Sequence, residues 1–324
     1  MPIDKVDKKI VGLLFEDSRR NFAEIAQEIG ISKNAAWSRY KKLRQMKIIN
    51  GATVQINYKK LGYDAVATLL LDVDNQRLSE VSKYISARIP DVFGPFVSHS
   101  IYNLRAIVTL KTLRELGEIK EELRRLPGVF DINSSIWTDV WFTPENLSLI
   151  PIRPIESIDK TSVSEDIFNA DEVDLIIIRM LAEDSKRSFR NMASELKVSV
   201  DTVARRYEAL KKEHIIASRI RIDPSKLGYS AIAHFFAKVL PNYDTIDVIR
   251  EMFSMQDTFY FMKCTGEFNI GIMLMVKEIK DMLRAADCIA TIKGIRRVDT
   301  TANNINPLWP VPRTYTSTLS RFTH

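Results

Sequence analysis

Cysteine is nearly missing from this 324-residue chain, which holds only Cys264 and Cys288 and no CxxC pair. So few thiols exclude a disulfide scaffold, and both read as reduced thiols of a cytosolic protein. Histidine is almost as scarce, with His99, His214, His234 and His324 alone. No HExxH and no metal-spaced Cys/His cluster occurs, so no metal ligands are nominated. The glycine-rich phosphate loops GxGxxG and GxxxxGK[ST] are missing, as is any nucleophile-elbow pattern. No catalytic residue and no cofactor is therefore expected. No apolar run approaches the roughly 18 residues that span a bilayer, and no signal-peptide pattern opens the chain. The expectation is a cytoplasmic protein without a membrane partner. Charge of one sign is not in great excess: 47 Lys and Arg against 41 Asp and Glu give +6. That balance permits a polyanionic partner without requiring one.

What the chain does have is a long internal repeat. Val6–Ile49 aligns without a gap on Val173–Ile216, with 17 identities in 44 positions. After a one-residue deletion the match resumes at Lys60-Leu61-Gly62-Tyr63 and Lys226-Leu227-Gly228-Tyr229. A period this long marks a duplicated multi-element unit, not a solenoid. In each copy Val6, Ile10, Leu13 and Leu14, or Val173, Ile177, Met180 and Leu181, share one helical face. Asn21 or Ser188 can cap a second helix, and Ser32 or Ser199 a third, with a short turn between them. Alternating Val54 and Ile56, and Ile220 and Ile222, predict a hairpin. Three helices, a tight turn and a β wing make a winged helix-turn-helix. Strands, a helix, two more strands, a helix and a closing strand follow in both copies, the βαββαβ order of a ferredoxin-like domain.

The expected fold is thus α+β, two repeats of a winged helix-turn-helix followed by a ferredoxin-like domain. The predicted boundaries are 1–63, 64–143, a linker over 144–170, 171–229, 230–304 and a C-terminal tail over 305–324. The linker is read from its three prolines and few large side chains. The pattern "IxxSxxxxxxRYxxL…II…LGY", joined to a βαββαβ domain, resembles the Lrp/AsnC transcription regulators. "CTGEFN" (Cys264 to Asn269) and "KGI" (Lys293 to Ile295) are similar to that family's ligand-domain signatures. The resemblance covers nearly the whole chain twice, as a tandem fusion. It implies double-stranded DNA as partner, self-association through the ferredoxin-like domains and an amino-acid-like effector bound between subunits.

On the third helix of the first copy Ala36, Tyr40 and Leu43 form the buried stripe, at about 100° per residue. Asn34, Ser38, Lys41, Lys42 and Gln45 lie opposite, with Lys33 near the start and Trp37 at the flank. Amide and hydroxyl groups there can address base edges, and lysines can reach phosphates. The second copy places Asp201, Arg205, Glu208 and Lys212 on that face. Residues 1–63 hold 13 Lys/Arg and 6 Asp/Glu, net +7, while 171–229 hold 12 and 10, net +2. The first head should therefore supply most of the electrostatic affinity. Arg219 and Arg221 are expected to face outward from the second wing. Arg39 and Arg206 are balanced between a phosphate contact and pairing with a helix-one carboxylate. Two unequal heads predict an asymmetric target site.

For the effector, Thr265, Gly266, Glu267 and Asn269 are the candidates: a Thr-Gly turn lets amides approach a small anion, and Glu267 could accept an ammonium. The matching "SHSIYN" of the first half has neither glycine nor acid. Two alternatives stand beside the regulator. One is an enzyme similar to the sirohaem decarboxylases, which resemble Lrp regulators and for which "HSIYNL" (His99 to Leu104) is the pointer. The other is an architectural DNA-coating protein with little sequence preference.

Overall fold

The computed structural model describes residues 3–89, 92–97, 102–152 and 167–310. Asp4 and Asp171 start the two halves alike. Each carboxylate accepts a backbone N–H three residues on, and Asp7 and Asp174 return the bond, a capping box at each first helix. The first half then runs α1 (Lys5–Glu16), α2 (Phe22–Ile29), α3 (Lys33–Gln45), β1 (Ile49–Ile56), β2 (Ala65–Val73), α4 (Leu78–Arg88), β3 (Val92–Val97), β4 (Leu104–Leu110), α5 (Leu113–Arg124) and β5 (Val129–Phe142). The second repeats it as α6 (Glu172–Glu183), α7 (Phe189–Leu196), α8 (Val200–Lys212), β6 (Ile216–Ile222), β7 (Ala231–Val239), α9 (Thr245–Met252), β8 (Thr258–Cys264), β9 (Ile270–Val276), α10 (Ile279–Thr291) and β10 (Ile295–Asn304). Gly30 closes α2 in the left-handed region, and Ser32 and Ser199 cap α3 and α8 as expected.

One sequence expectation fails: neither unit forms its own hairpin. Each contributes a single strand, and β1 pairs antiparallel with β6 across the two halves. The register puts Thr53 opposite Arg219, the two equivalent positions of the repeat, so a pseudo-twofold axis passes between them. The residue missing from the second copy is a β-bulge in the first: Ile49 faces Ile222 and Gly51 faces Arg221, leaving Asn50 over. Ser18 and Ser185, also equivalent, meet on this axis with their hydroxyls 2.8 Å apart and fully buried. Cations are exchanged across it. Arg19 lies 4.5 Å from the Phe189 ring and 5.0 Å from Tyr207, while its equivalent Lys186 lies 4.8 Å from Tyr40. The units are built as a pair, which is why α1 is buried on every side over Ile10–Phe15 and not along one stripe.

The other strands form one eight-stranded sheet in the order β10-β7-β9-β8-β5-β2-β4-β3. Each half keeps the ferredoxin-like strand order, and β5 joins β8 at the seam. Helices α4 and α5 cover one face of the first half through Val81, Ile85, Leu116 and Leu123. Helices α9 and α10 cover the second through Val248, Ile249, Met252 and Ile289. The opposite faces turn inward, where Trp137, Tyr260 and Met262 join the core of the helical units. Among the described residues no helix is long and apolar enough to cross a membrane.

Both expected connectors carry core residues. Leu147, Ile150 and Ile152, at the start of the predicted linker, are buried, and so is Trp309 in the predicted tail. The linker sits so close to α1 that a Cβ on Gly12 would lie 2.2 Å from the Pro151 carbonyl oxygen. Alanine is the better helix former by about 1 kcal/mol, but overpacking costs about 1–3 kcal/mol. Gly12→Ala is therefore expected to destabilise the chain in urea unfolding. A stabilised variant would show that this segment is not seated on α1.

Candidate nucleic-acid interface

Packing of α3 and α8 decides what they can offer to a duplex. Ala36, Tyr40 and Leu43 are buried in α3, as are Val203, Tyr207 and Leu210 in α8. Phe22 meets Trp37 edge-on at 4.9 Å and Tyr40 at 5.1 Å, which holds the turn between α2 and α3. Opposite this stripe, Asn34, Ser38, Lys41, Lys42 and Gln45 are exposed, as is Lys33 at the start of the helix. The face of α8 exposes Asp201, Arg205, Glu208 and Lys212. Apart from Lys33 at the first position of α3, these residues lie on the outer face of their helix, as helical periodicity predicts. Because β1 and β6 share one ladder, both helices belong to a single rigid pair.

The arginines sort differently. Arg39 donates to Asp4 at 2.6 Å and to Asp7 at 2.8 Å; Arg206 pairs with Asp171 and Asp174, both at 2.8 Å. Hydrogen bonds donated to Asp7 and then to Asp4 hold the Arg39 guanidinium above its usual range. The Asp4 carboxyl is lowered first by the Asp7 backbone N–H and then by Arg39. Each arginine ties α3 or α8 to the capping box of its own first helix, and of the two expected roles the structure shows the pairing with helix-one carboxylates.

Arg219 and Arg221 correct the expectation of an outward-facing wing. Arg219 is 6 % exposed. It donates from Nε to Gln55 and from Nη1 to the Phe15 carbonyl at 2.9 Å. Burial pulls its guanidinium down to about 10. It sits on the axis, where two arginines would repel at close range, and the first copy has Thr53 there. Arg221 is half-buried and donates to the Ala182 carbonyl at 2.6 Å. The rewriting of this strand between copies serves the pairing of the units.

The candidate effector residues are brought together at the seam between β5 and β8. Thr265 donates its N–H to the Ile136 carbonyl at 2.9 Å and accepts from Ser135 Oγ at 2.9 Å. Gly266 takes φ +111, and a Cβ there would lie 3.2 Å from the Ser134 carbonyl oxygen. Glu267 is paired with Arg297 at 3.0 Å. Asn269 accepts the Val239 N–H at 3.0 Å, and its equivalent Asn103 accepts that of Val73 at 2.9 Å. The asparagine is therefore a strand clamp common to both halves. His99 lies outside the described residues, and among those described no group of three His, Cys, Asp or Glu could hold a metal.

A fold of two helix-turn-helix units, each followed by a βαββαβ domain and paired about a pseudo-twofold axis, defines a class of DNA-binding protein built as a dimer in one chain. The AsnC-type helix-turn-helix domain model matches at residues 3–44 and 171–211. An uncharacterized HTH-type transcriptional regulator of Pyrococcus furiosus is 34% identical over 140 residues, 93% of its length and 43% of this chain. The HTH-type transcriptional regulator LrpA of Pyrococcus horikoshii is 32% identical over 135 residues, 95% of its length and 41% of this chain. The chain belongs to the Lrp/AsnC family of transcription regulators. Each of these relatives corresponds to less than half of it, as a duplication requires. Among solved structures, the sirohaem decarboxylase NirDL aligns over 97% of this chain and 95% of its own with a TM-score of 0.65 and 19% identity. That likeness is one of fold, and it shows the two-repeat architecture in another protein.

Proposed function

We propose that the chain reads double-stranded DNA in a sequence-specific manner as a self-paired regulator with two unequal heads. The observation that carries this is the contrast between two equivalent helix faces. On α3, Lys33, Lys41 and Lys42 are exposed and make no ion pair among the described residues, beside Asn34 and Ser38. On α8, Asp201 and Glu208 replace Asn34 and Lys41, leaving Arg205 and Lys212 as the cations. Backbone phosphates attract the first face along its length and the second only in part. Base contacts of unlike chemistry on one rigid pair call for two unlike half-sites. We include residence in the compartment that holds the DNA. An amino-acid-like effector at Thr265, Gly266, Glu267 and Asn269 is included too, on the condition that its ammonium group displaces Arg297 from Glu267.

The test is selection of bound fragments from sheared genomic DNA by the purified full chain at near-physiological salt, followed by sequencing. Narrow peaks with a non-palindromic motif are expected. A palindromic motif would remove the unequal heads, and even coverage would favour the architectural alternative. No retained DNA would overturn the proposal.

A further inference from the structure

The inner faces of the two ferredoxin-like halves enclose a cavity of about 140 Å³, close to the size of an apolar cavity that holds benzene. The pseudo-symmetry is broken where it lies. At one seam β5 pairs with β8, but their counterparts β10 and β3 are the two ends of the sheet and share no ladder. Phe96 of β3 and Asn303 of β10 line the cavity at this open seam. Arg105 of β4 reaches across it, with Nη1 3.2 Å from Thr301 Oγ1 of β10.

Arg105 is the cation on the cavity wall, and its surroundings are unusual for one. Its guanidinium carbon lies 4.5 Å from the Phe236 ring centre, and no carboxylate lies within ion-pair distance among the described residues. Its Nε is buried and makes no hydrogen bond. Burial, opposed by Asp299 from a distance, draws the guanidinium down to about 10. His234 lines the same wall. Burial, then the charge of Arg105, pushes its imidazole down to about 3, so it stays neutral and adds no second cation at neutral pH. The remaining wall mixes aromatic rings, Trp137 and Trp309 among them, with aliphatic side chains, Thr68 and three asparagines near the open seam. A half-buried cation whose Nε is shut off from solvent, facing a ring-lined space, is matched by a small planar anion: its charge answers Arg105, and its ring replaces solvent against the aromatic part of the wall.

We propose that this cavity binds a small aromatic carboxylate, with Arg105 as the carboxylate's partner. The site is distinct from the Thr265–Asn269 turn, and none of its lining residues belongs to the recognition helices.

The probes are benzoate and 1-naphthoate, titrated into the full chain while following tryptophan fluorescence, since Trp137 and Trp309 line the cavity. The matching amides, which have the shape without the charge, are titrated in parallel. At least one acid is expected to bind saturably and about tenfold or more tighter than its amide, the scale of a hydrogen-bonded charge. Arg105→Met should abolish that preference while leaving far-UV circular dichroism unchanged. Acid and amide binding equally, or neither binding, would overturn the proposal. The wild-type comparison decides this even if the variant does not fold. No DNA is present, so the outcome is independent of the DNA-reading proposal.

Discussion

Trp309→Ala will lower the stability of the folded chain by about 3–5 kcal/mol, the cost of deleting a large buried ring. Trp309 is 5 % exposed and stacks on Phe15 of α1 at 5.2 Å, with Phe259 edge-on at 5.4 Å and Phe142 at 6.2 Å. It thereby ties the first helix to both ferredoxin-like halves. Its backbone is tied as well: Trp309 accepts from Ile222 N–H at 2.7 Å and donates to the Ile222 carbonyl at 3.1 Å. Two residues earlier the Pro307 carbonyl accepts from the side chain of Asn50, the bulged residue of β1, at 2.9 Å. The extra residue in the first copy thus gives the C-terminal segment its seat. Urea unfolding followed by circular dichroism measures the effect, and Trp309→Phe, which keeps a ring, should lose less than half as much. A loss for alanine below about 1 kcal/mol would mean that the segment is not docked.

That segment also shows where the sequence stops being legible. The strands β2, β4, β7, β8 and β9 fall where their apolar runs end, because each pairs with a neighbour of its own half and buries most of its length, β7 by alternation and β2, β8 and β9 almost continuously. The hairpin expectation fails because Val54 and Ile56 alternate with Thr53 and Gln55, a pattern that looks half solvated. All four are buried, since the polar pair faces the other unit, where Thr53 donates to the Ala182 carbonyl at 2.8 Å. A partner more than a hundred residues away leaves no local signature. The proline-rich stretch around Trp309 and the linker around Ile150 read as connectors on composition, yet their apolar side chains fill the joint between domains. The recognition faces are legible because helical periodicity separates the buried stripe from the exposed residues within one helix. The cavity is not. Its only trace is Arg105, a lone charge in the apolar strand "LRAIVTL", and nothing local says that His234 lies near it.

Lys41→Ala combined with Lys42→Ala should weaken binding to every DNA sequence alike and reduce the slope of log affinity against log salt by about 2, one unit for each phosphate no longer neutralised. Both side chains are exposed on α3, away from the buried stripe of Ala36, Tyr40 and Leu43, so removing them leaves the fold intact. The counterpart is Glu208→Lys on α8. It replaces a carboxylate on the equivalent face with a cation, and it should strengthen binding and steepen the slope by about 1. The opposite signs matter because the two units differ in charge, 13 − 6 = +7 over residues 1–63 and 12 − 10 = +2 over residues 171–229. On the proposed reading the paired units share one duplex between them, so the weaker head has the more affinity to gain. Arg39→Ala behaves differently, because it breaks pairs with Asp4 and Asp7 and acts through stability. Affinity measured by fluorescence anisotropy between about 50 and 200 mM salt, the range over which phosphate neutralisation is decisive, separates these cases. If the double-lysine variant keeps the wild-type slope, the face of α3 does not lie on the phosphates.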